Sequence, residues 1–141
     1  MSKKKDLKKV FISSRISDHE QQRLNMELYN LCSNLGFDPY LPQLEVPLDT
    51  RMSPAEILEA NEKAVDKSDM MLMVFDKAGA GSAMEYQRVY IAQKPIIAYR
   101  SQQSILSENL GMMLEGAWQR IEKEYKSSTL HGLESIFKKF G

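Results

Sequence analysis

A glutamate, Glu85, follows two closely spaced glycines, Gly79 and Gly81, in the stretch MLMVFDKAGAGSAMEYQ. The glycines come after the apolar run MMLMVF, which is typical of a strand covered by helices on both faces. Because glycine has no side chain, a ligand can approach the backbone closely there. An ionised carboxylate that faces a small-ligand cleft can act as a nucleophile at a sugar carbon. These residues therefore form a candidate catalytic site.

On spacing alone, the favoured interpretation of Glu85 is a helix cap. Ser82 and Glu85 have the Ser-x-x-Glu spacing of a capping box, in which each side chain satisfies a backbone N–H at a helix start. The same spacing occurs at two other expected helix starts, Ser17/Glu20 and Ser53/Glu56. In the first turn of a helix, the helix dipole should keep Glu85 ionised, with a stabilisation of about 0.3–1 kcal/mol.

Strand and helix signals alternate along the whole chain, which predicts an α/β fold. The runs KVFIS, FDPYLP, MMLMVF and PIIAY are expected strands, and AWQRIEK is an expected edge strand. The intervening segments have helical apolar spacing, and TLHGLESIFKKF is expected to close the chain as a helix. Such alternation predicts a doubly wound parallel sheet of about five strands in the flavodoxin-like order 2-1-3-4-5. We expect one domain over residues 1–141, with residues 1–8 as a flexible basic tail.

This fold brings two loops together before any chemistry is considered. Ligands of doubly wound sheets lie beyond the carboxyl ends of the strands, between the first and third strands. The loop after the first strand carries Ser13, Ser14 and Arg15, and the loop after the third contains the two glycines and ends at Ser82. Arginine pairs bidentately with phosphate, and serine hydroxyls donate to it. An ordinary surface arginine and serines that close a turn are the alternatives.

Composition excludes several classes of function. Lys plus Arg equals Asp plus Glu at 19 each, whereas nonspecific nucleic-acid binding relies on a positive excess. No run approaches the roughly 20 apolar residues that span a bilayer, and no signal peptide is visible. The single cysteine, Cys32, is expected to be buried, which fits a cytoplasmic protein. The two histidines, His19 and His131, are far apart in sequence, so we expect neither a metal site nor a cofactor.

The pattern KVFISSRIS … NEKAVDKSDMMLMVFD … GAGSAMEYQRVYIAQKPIIAY resembles the nucleoside 2-deoxyribosyltransferase superfamily. Within it, the likeness is closest to the 2'-deoxynucleoside 5'-phosphate N-hydrolase branch and runs from about Lys9 to Met113. The resemblance implies an N-glycosidase that hydrolyses the base–sugar bond of (deoxy)nucleoside 5'-monophosphates. It also implies a small-molecule nucleotide or nucleoside as partner, and a homodimer or larger oligomer with a shared active site.

The resemblance assigns roles to particular residues. Glu85 would attack the anomeric carbon and form a covalent glycosyl-enzyme, and Asn61 would lie near the reacting sugar. Phe11 stands at the aromatic position under the sugar, and Ser107 would reach the phosphate from a neighbouring subunit. The loop that wraps the sugar and phosphate corresponds to Ser13, Ser14 and Arg15.

Departures from the family pattern leave alternatives open. Gln87 replaces a glycine two residues after the nucleophile, and Gly79 stands where transferases carry an acidic residue that grips the base. The latter favours hydrolysis over base exchange by a nucleoside 2-deoxyribosyltransferase. Phe11 replaces a tyrosine of the deoxy-specific hydrolase, which leaves ribose versus deoxyribose open. The opening VFISSRISDHE also resembles Toll/interleukin-1 receptor-type domains, which are signalling modules or cleave NAD.

Overall fold

Five parallel strands form a single sheet in the order β2-β1-β3-β4-β5 in the computed structural model, which describes residues 7–46 and 51–140. This confirms the predicted flavodoxin-like α/β architecture and its strand order. The strands are β1 (Lys9–Ser13), β2 (Asp38–Tyr40), β3 (Met70–Val74), β4 (Ile96–Tyr99) and β5 (Lys126–Ser127).

Helices connect the strands and pack on both faces of the sheet. A 3-10 turn, Lys123–Tyr125, precedes β5. No helix within residues 7–46 and 51–140 is long and apolar enough to cross a membrane. The helices are α1 (His19–Asn34), α2 (Pro42–Glu45), α3 (Pro54–Lys67), α4 (Ala80–Ile91), α5 (Gln102–Ser107), α6 (Met112–Arg120) and α7 (Leu130–Lys138).

The core consists of two apolar layers separated by the sheet. All five residues of β3 are buried, as the continuous apolar run predicted. On one face, Leu72 packs with Leu28 of α1 and Phe137 of α7. Cys32 belongs to this layer and is fully buried, and burial raises the pKa of its thiol to about 12. It therefore packs as a small apolar side chain, as expected.

The start of α1 differs from that predicted from the sequence, and the start of α3 agrees with it. The side chain of Asp18, and not that of Ser17, caps α1 by accepting from the backbone N–H groups of Glu20 and Gln21. An aspartate is as good a cap as a serine, so sequence spacing could not separate these neighbours. The capping box at Ser53 is confirmed, because both of its hydrogen bonds to Glu56 are present.

The predicted edge strand AWQRIEK is wrong, because most of it lies in α6. Helical periodicity places Leu114, Ala117 and Ile121 on one buried side, where they join the second apolar layer. Trp118 also packs edge-on against Phe75, with ring centroids 5.2 Å apart. The true edge strand, β5, is only two residues long and carries no apolar alternation. Residues 1–6 of the expected basic tail lie outside the described residues, as do residues 47–50 of the loop after α2.

Candidate active site

The loops that follow β1 and β3 meet at the carboxyl edge of the sheet, as the strand order predicted. Lys77 Nζ in the second loop pairs with Asp18 Oδ2 in the first at 2.7 Å. Ser13, the last residue of β1, donates its hydroxyl to Glu85 Oε1 at 2.6 Å. The candidate nucleophile is thus held at the switch point between the first and third strands.

Glu85 is not a helix cap. The helix α4 begins at Ala80, with Gly79 as its N-cap and no side-chain cap hydrogen bond. Ser82 therefore lies inside the helix, where it is buried, and Glu85 falls in the second turn. The carboxylate of Glu85 bonds to a side chain 72 residues away in sequence and not to the backbone of its own helix start. The capping alternative is wrong for this reason.

A cleft of about 720 Å³ opens in front of Glu85, between α3 and α4. Its walls are mostly apolar, with a few polar groups, which is the usual character of a small-molecule site. Gly81 lies in this wall, and a Cβ on it would meet no atom within 4 Å, so the glycine leaves open space. The other lining residues are Pro54, Ile57, Leu58, Asn61, Glu62, Val65, Met84, Gln87, Arg88 and Ile91.

Burial dominates the electrostatics of Glu85. It raises the pKa of the carboxyl from 4.5 to about 7, and the hydrogen bond from Ser13 lowers the pKa only in part. The expectation that the helix dipole holds Glu85 ionised is wrong, because it placed Glu85 in the first turn of its helix. The dipole acts within the first turn, and Glu85 lies beyond it. At neutral pH the carboxyl is divided between its neutral and ionised forms, and a pKa shifted this far by burial is common at functional sites.

This raised pKa predicts a pH-dependent cost to stability. Between about pH 4.5 and 7 the folded protein keeps a proton that the unfolded chain has lost, so the free energy of unfolding falls as pH rises. Glu85→Gln removes this titration and still accepts the Ser13 hydrogen bond. We expect the variant to match the wild type at pH 4 and to be more stable at pH 8, by up to about 3 kcal/mol. Urea unfolding at both pH values measures this, and a pH-independent difference would contradict it.

Asn61 of α3 lines the same cleft as Glu85. Its Oδ1 is buried and accepts no hydrogen bond from the described residues. A buried acceptor without a partner is costly, and a donor group on a bound ligand would satisfy it. The structure thus brings together the two residues that were assigned to catalysis by resemblance, and their catalytic roles stay predictions.

The remaining residues of the first loop lie near its surface. Arg15 is exposed, and its side chain makes no hydrogen bond or ion pair within the described ranges, so it is free to meet an anion. Ser14 accepts a hydrogen bond from Gln21 Nε2 at 3.3 Å. Gly79 has ordinary extended backbone angles and space for a Cβ, so neither conformation nor packing explains the glycine. Substrate binding by these residues stays a prediction.

Phe11 lies deeper than a sugar-binding ring would. Its side chain is fully buried and stacks on Tyr40 of β2, with centroids 5.4 Å apart. Burial raises the pKa of Tyr40, and the charges of Glu45 and Glu85 raise it further. Tyr40 was not expected near Glu85 from the sequence, although its place at the carboxyl end of the strand beside β1 could have indicated it.

Ser107 does not reach the Glu85 cleft of its own chain. It is exposed at the end of α5, and its hydroxyl donates to the carbonyl of Gln103 at 2.7 Å. It lines a second cleft of about 330 Å³, beside Asp76 and Lys77. Within one chain, therefore, Ser107 and Glu85 belong to different cavities.

No group of three or more histidine, cysteine, aspartate or glutamate side chains in the described parts of the chain is arranged to hold a metal ion. The expectation of a reaction that needs neither metal nor cofactor stays a prediction.

The sequence matches the family model of nucleoside 2-deoxyribosyltransferases over residues 10–122. The chain therefore belongs to the nucleoside 2-deoxyribosyltransferase family. Family membership supports an enzyme of the nucleoside deoxyribosyltransferase or N-glycosidase type, with a nucleoside or nucleotide as its small-molecule partner. No curated protein matches the chain in sequence.

Solved structures with low sequence identity share the fold. A conserved protein from Enterococcus faecalis superposes with a TM-score of 0.78 at 18% identity, covering 95% of this chain and 99% of that one. A 2-deoxyribosyltransferase from Leishmania mexicana gives 0.65 at 11% identity, with coverage of 94% and 97%. A CMP N-glycosidase from Clostridium botulinum gives 0.60 at 18% identity, with coverage of 94% and 98%.

Proposed function

We propose that the protein is an N-glycosidase that hydrolyses the base–sugar bond of (deoxy)nucleoside 5'-monophosphates through a covalent intermediate on Glu85. The observation that carries the proposal is the placement of this carboxyl. It is held by Ser13 at 2.6 Å and lines a largely apolar cleft large enough for a nucleotide's sugar and base. A titratable group that burial has strongly perturbed, in a cleft of this size, is characteristic of catalysis.

The reaction proceeds in two displacements at C1'. In the first, an ionised oxygen of Glu85 bonds to C1' as the C1'–N bond breaks, and its electron pair leaves with the base, which takes a proton. In the second, a water oxygen bonds to C1' as the C1'–O bond to Glu85 breaks; its electron pair returns to the carboxylate, the water loses a proton to solvent, and the sugar 5-phosphate leaves. Two easier steps replace one difficult step. A partly desolvated carboxylate is the more reactive nucleophile because little water must be removed from it.

The 5'-phosphate would bind where the two loops meet. The first turn of α4 has no side-chain cap, so its backbone N–H groups are available to an anion. Gly79 and Gly81 leave room for the phosphate to approach them. Arg15, exposed in the neighbouring loop, supplies a positive charge, and the hydroxyls of Ser14 and Ser82 are further donors.

Base exchange is the second candidate, and the family match favours it over the NAD-cleaving signalling module suggested by the opening residues. In a transferase, a second base would take the place of water at the glycosyl-enzyme. Gly79 offers no acidic group to grip that base, which supports hydrolysis. We propose a cytoplasmic location, which the free, buried Cys32 supports.

A substrate panel tests the proposal. The protein is incubated with the common ribo- and deoxyribonucleoside 5'-monophosphates and with the matching nucleosides, and free base is quantified. We expect base release from a monophosphate and much less from its nucleoside. Adding a second free base separates the candidates, because only a transferase would form the new nucleoside efficiently. Rapid release of nicotinamide from NAD, without cleavage of any monophosphate, would overturn the proposal.

The proposal includes a second copy of the chain at the active site. Large apolar side chains are exposed on this side of the molecule: Met84 and Ile91 line the Glu85 cleft, and Met112 and Met113 line a neighbouring groove that shares Met84. A face of this kind marks an interaction surface more often than a solvated one. Contact of a neighbouring subunit here would also bring that subunit's Ser107 to the substrate, which Ser107 does not reach within its own chain.

Mixed subunits test the shared site. If Ser107 acts across the interface, Glu85→Gln and Ser107→Ala chains should each be impaired alone and should recover activity when unfolded and refolded together. Each mixed dimer then holds one site with both native side chains. Impaired variants that form mixed dimers without recovering activity would contradict the shared site.

A further inference from the structure

Ser13 is buried, and its hydroxyl is already committed. It ends β1 and has no exposed surface. Its Oγ donates to Glu85 Oε1 at 2.6 Å, the short distance typical of a hydrogen bond to a carboxylate. It is not among the residues that line the cleft in front of Glu85. These facts do not fit the phosphate-binding role suggested for Ser13 by its place in the loop.

We infer that Ser13 is a positioning residue for the nucleophile, which fixes the carboxyl of Glu85 and leaves its other oxygen to attack the sugar. The inference rests on the proposed function of Glu85 and adds a role for a residue that touches only the nucleophile. Ser13 acts through Glu85 and makes no contact with substrate.

The backbone of Ser13 makes it a rigid anchor. It is paired with Met73 of β3, at the end of a strand that lies inside the sheet between β2 and β3. A glutamate side chain has three rotatable bonds, and Glu85 projects from a helix on one face of that sheet. One short bond to a fixed strand selects the orientation that points into the cleft. Glu85 Oε2 has no partner within the described residues and remains the free oxygen. Holding a reacting atom in place before binding is a substantial source of rate enhancement.

The same bond opposes the effect of burial on Glu85. Burial raises the pKa of the carboxyl, and donation from Ser13 lowers it. Other polar or charged groups lie near the carboxyl: Tyr40 from β2, Asn61 and Glu62 from α3, and Gln87 and Arg88 from α4. The guanidinium of Arg88 is occupied by a bidentate pair with Asp66 and a longer contact to Glu62. Ser13 is therefore the group that favours the ionised form through direct contact.

Ser13→Ala tests the inference, because it removes one oxygen from a buried site and leaves the strand intact. Ser68→Ala is the matched control, since Ser68 is also buried and its hydroxyl donates to a backbone carbonyl, that of Ala64. For Ser13→Ala we expect kcat at pH 7 to fall by about tenfold or more, with KM for a monophosphate changed less than about twofold. Ser68→Ala should change neither constant.

The pKa of the Glu85 carboxyl, measured directly, distinguishes a positioning role of Ser13 from a structural role, which would leave this pKa unchanged. The carboxyl of Glu85 is followed by carbon NMR against pH in the wild type and in Ser13→Ala. We expect the midpoint to rise by about one pH unit or more in the variant, as loss of a hydrogen bond to a charged group implies. The activity of Ser13→Ala should recover in part above that midpoint, where Glu85 is ionised again.

The outcomes separate this inference from the proposed function. A raised KM with unchanged kcat and an unmoved midpoint would show that Ser13 binds substrate, and would overturn the inference alone. Loss of activity in Glu85→Gln, with Ser13→Ala indistinguishable from the wild type, would also overturn the inference alone. Full activity in Glu85→Gln would overturn both.

Discussion

Replacing Glu85 with glutamine is expected to lower the rate of base release by about three orders of magnitude or more, the usual result of removing a covalent nucleophile. The amide matches the carboxyl in size and can accept the hydrogen bond from Ser13, so the cleft keeps its shape. It has no negative oxygen to offer C1'. The loss should therefore fall on kcat, while nucleotide binding, measured by calorimetry, should stay close to that of the wild type.

A control separates this effect from a general change of charge. Glu59→Gln alters an exposed glutamate of α3 that pairs with Lys63 on the helix surface. It should leave kcat and KM unchanged, since exposed pairs of this kind contribute little. Substantial activity in folded Glu85→Gln would show that another group performs the chemistry.

Replacing Glu115 with alanine is expected to cost about 3 kcal/mol in the free energy of unfolding. Arg100 is only 3% exposed and forms a bidentate pair with Glu115, with both distances 2.9 Å. Removing one partner leaves a buried charge without its counterion, which is the costly way to break such a pair. The hydroxyl of Ser104 and two backbone carbonyls still accept from Arg100, so the guanidinium keeps part of its hydrogen bonding.

The double variant Arg100→Met/Glu115→Leu identifies the cause. It removes both charges together, so it should be more stable than Glu115→Ala alone. Urea denaturation of the three proteins at one pH measures both differences. A cost below about 1 kcal/mol for Glu115→Ala would mean that water reaches Arg100 and that the pair is energetically a surface pair.

The fold was predictable because its signals are periodic and agree with one another. The continuous apolar run of β3 and the alternation of strands with helices restrict the chain to very few topologies. The prediction of a strand around Trp118 was wrong because a short apolar pattern fits either a strand or a helix. Only packing against Phe75 decides between them. The prediction of a helix start was wrong where an equally good capping residue lies beside the expected one, as Asp18 does.

The position of the candidate site could be predicted from the sequence, but the burial and hydrogen bonding of its residues could not. Strand order alone brings the loops after β1 and β3 together, so Glu85 could be located from the sequence. The raised pKa of Glu85 could not be predicted, because the sequence does not show that the carboxyl lies beyond the first turn of α4 and is desolvated. The role of Ser13 could not be predicted either. The hydrogen bond from Ser13 to Glu85 joins residues 72 positions apart and depends on the register of the whole sheet.

Capture of the glycosyl-enzyme tests directly whether Glu85 forms a covalent bond with the sugar. The protein is mixed with a cleaved monophosphate and quenched in acid during turnover, and its intact mass and peptides are determined by mass spectrometry. We expect added mass equal to the sugar phosphate less one water, located on the peptide that contains Glu85 and missing from Glu85→Gln. An adduct on another residue, or rapid base release by folded Glu85→Gln, would contradict it.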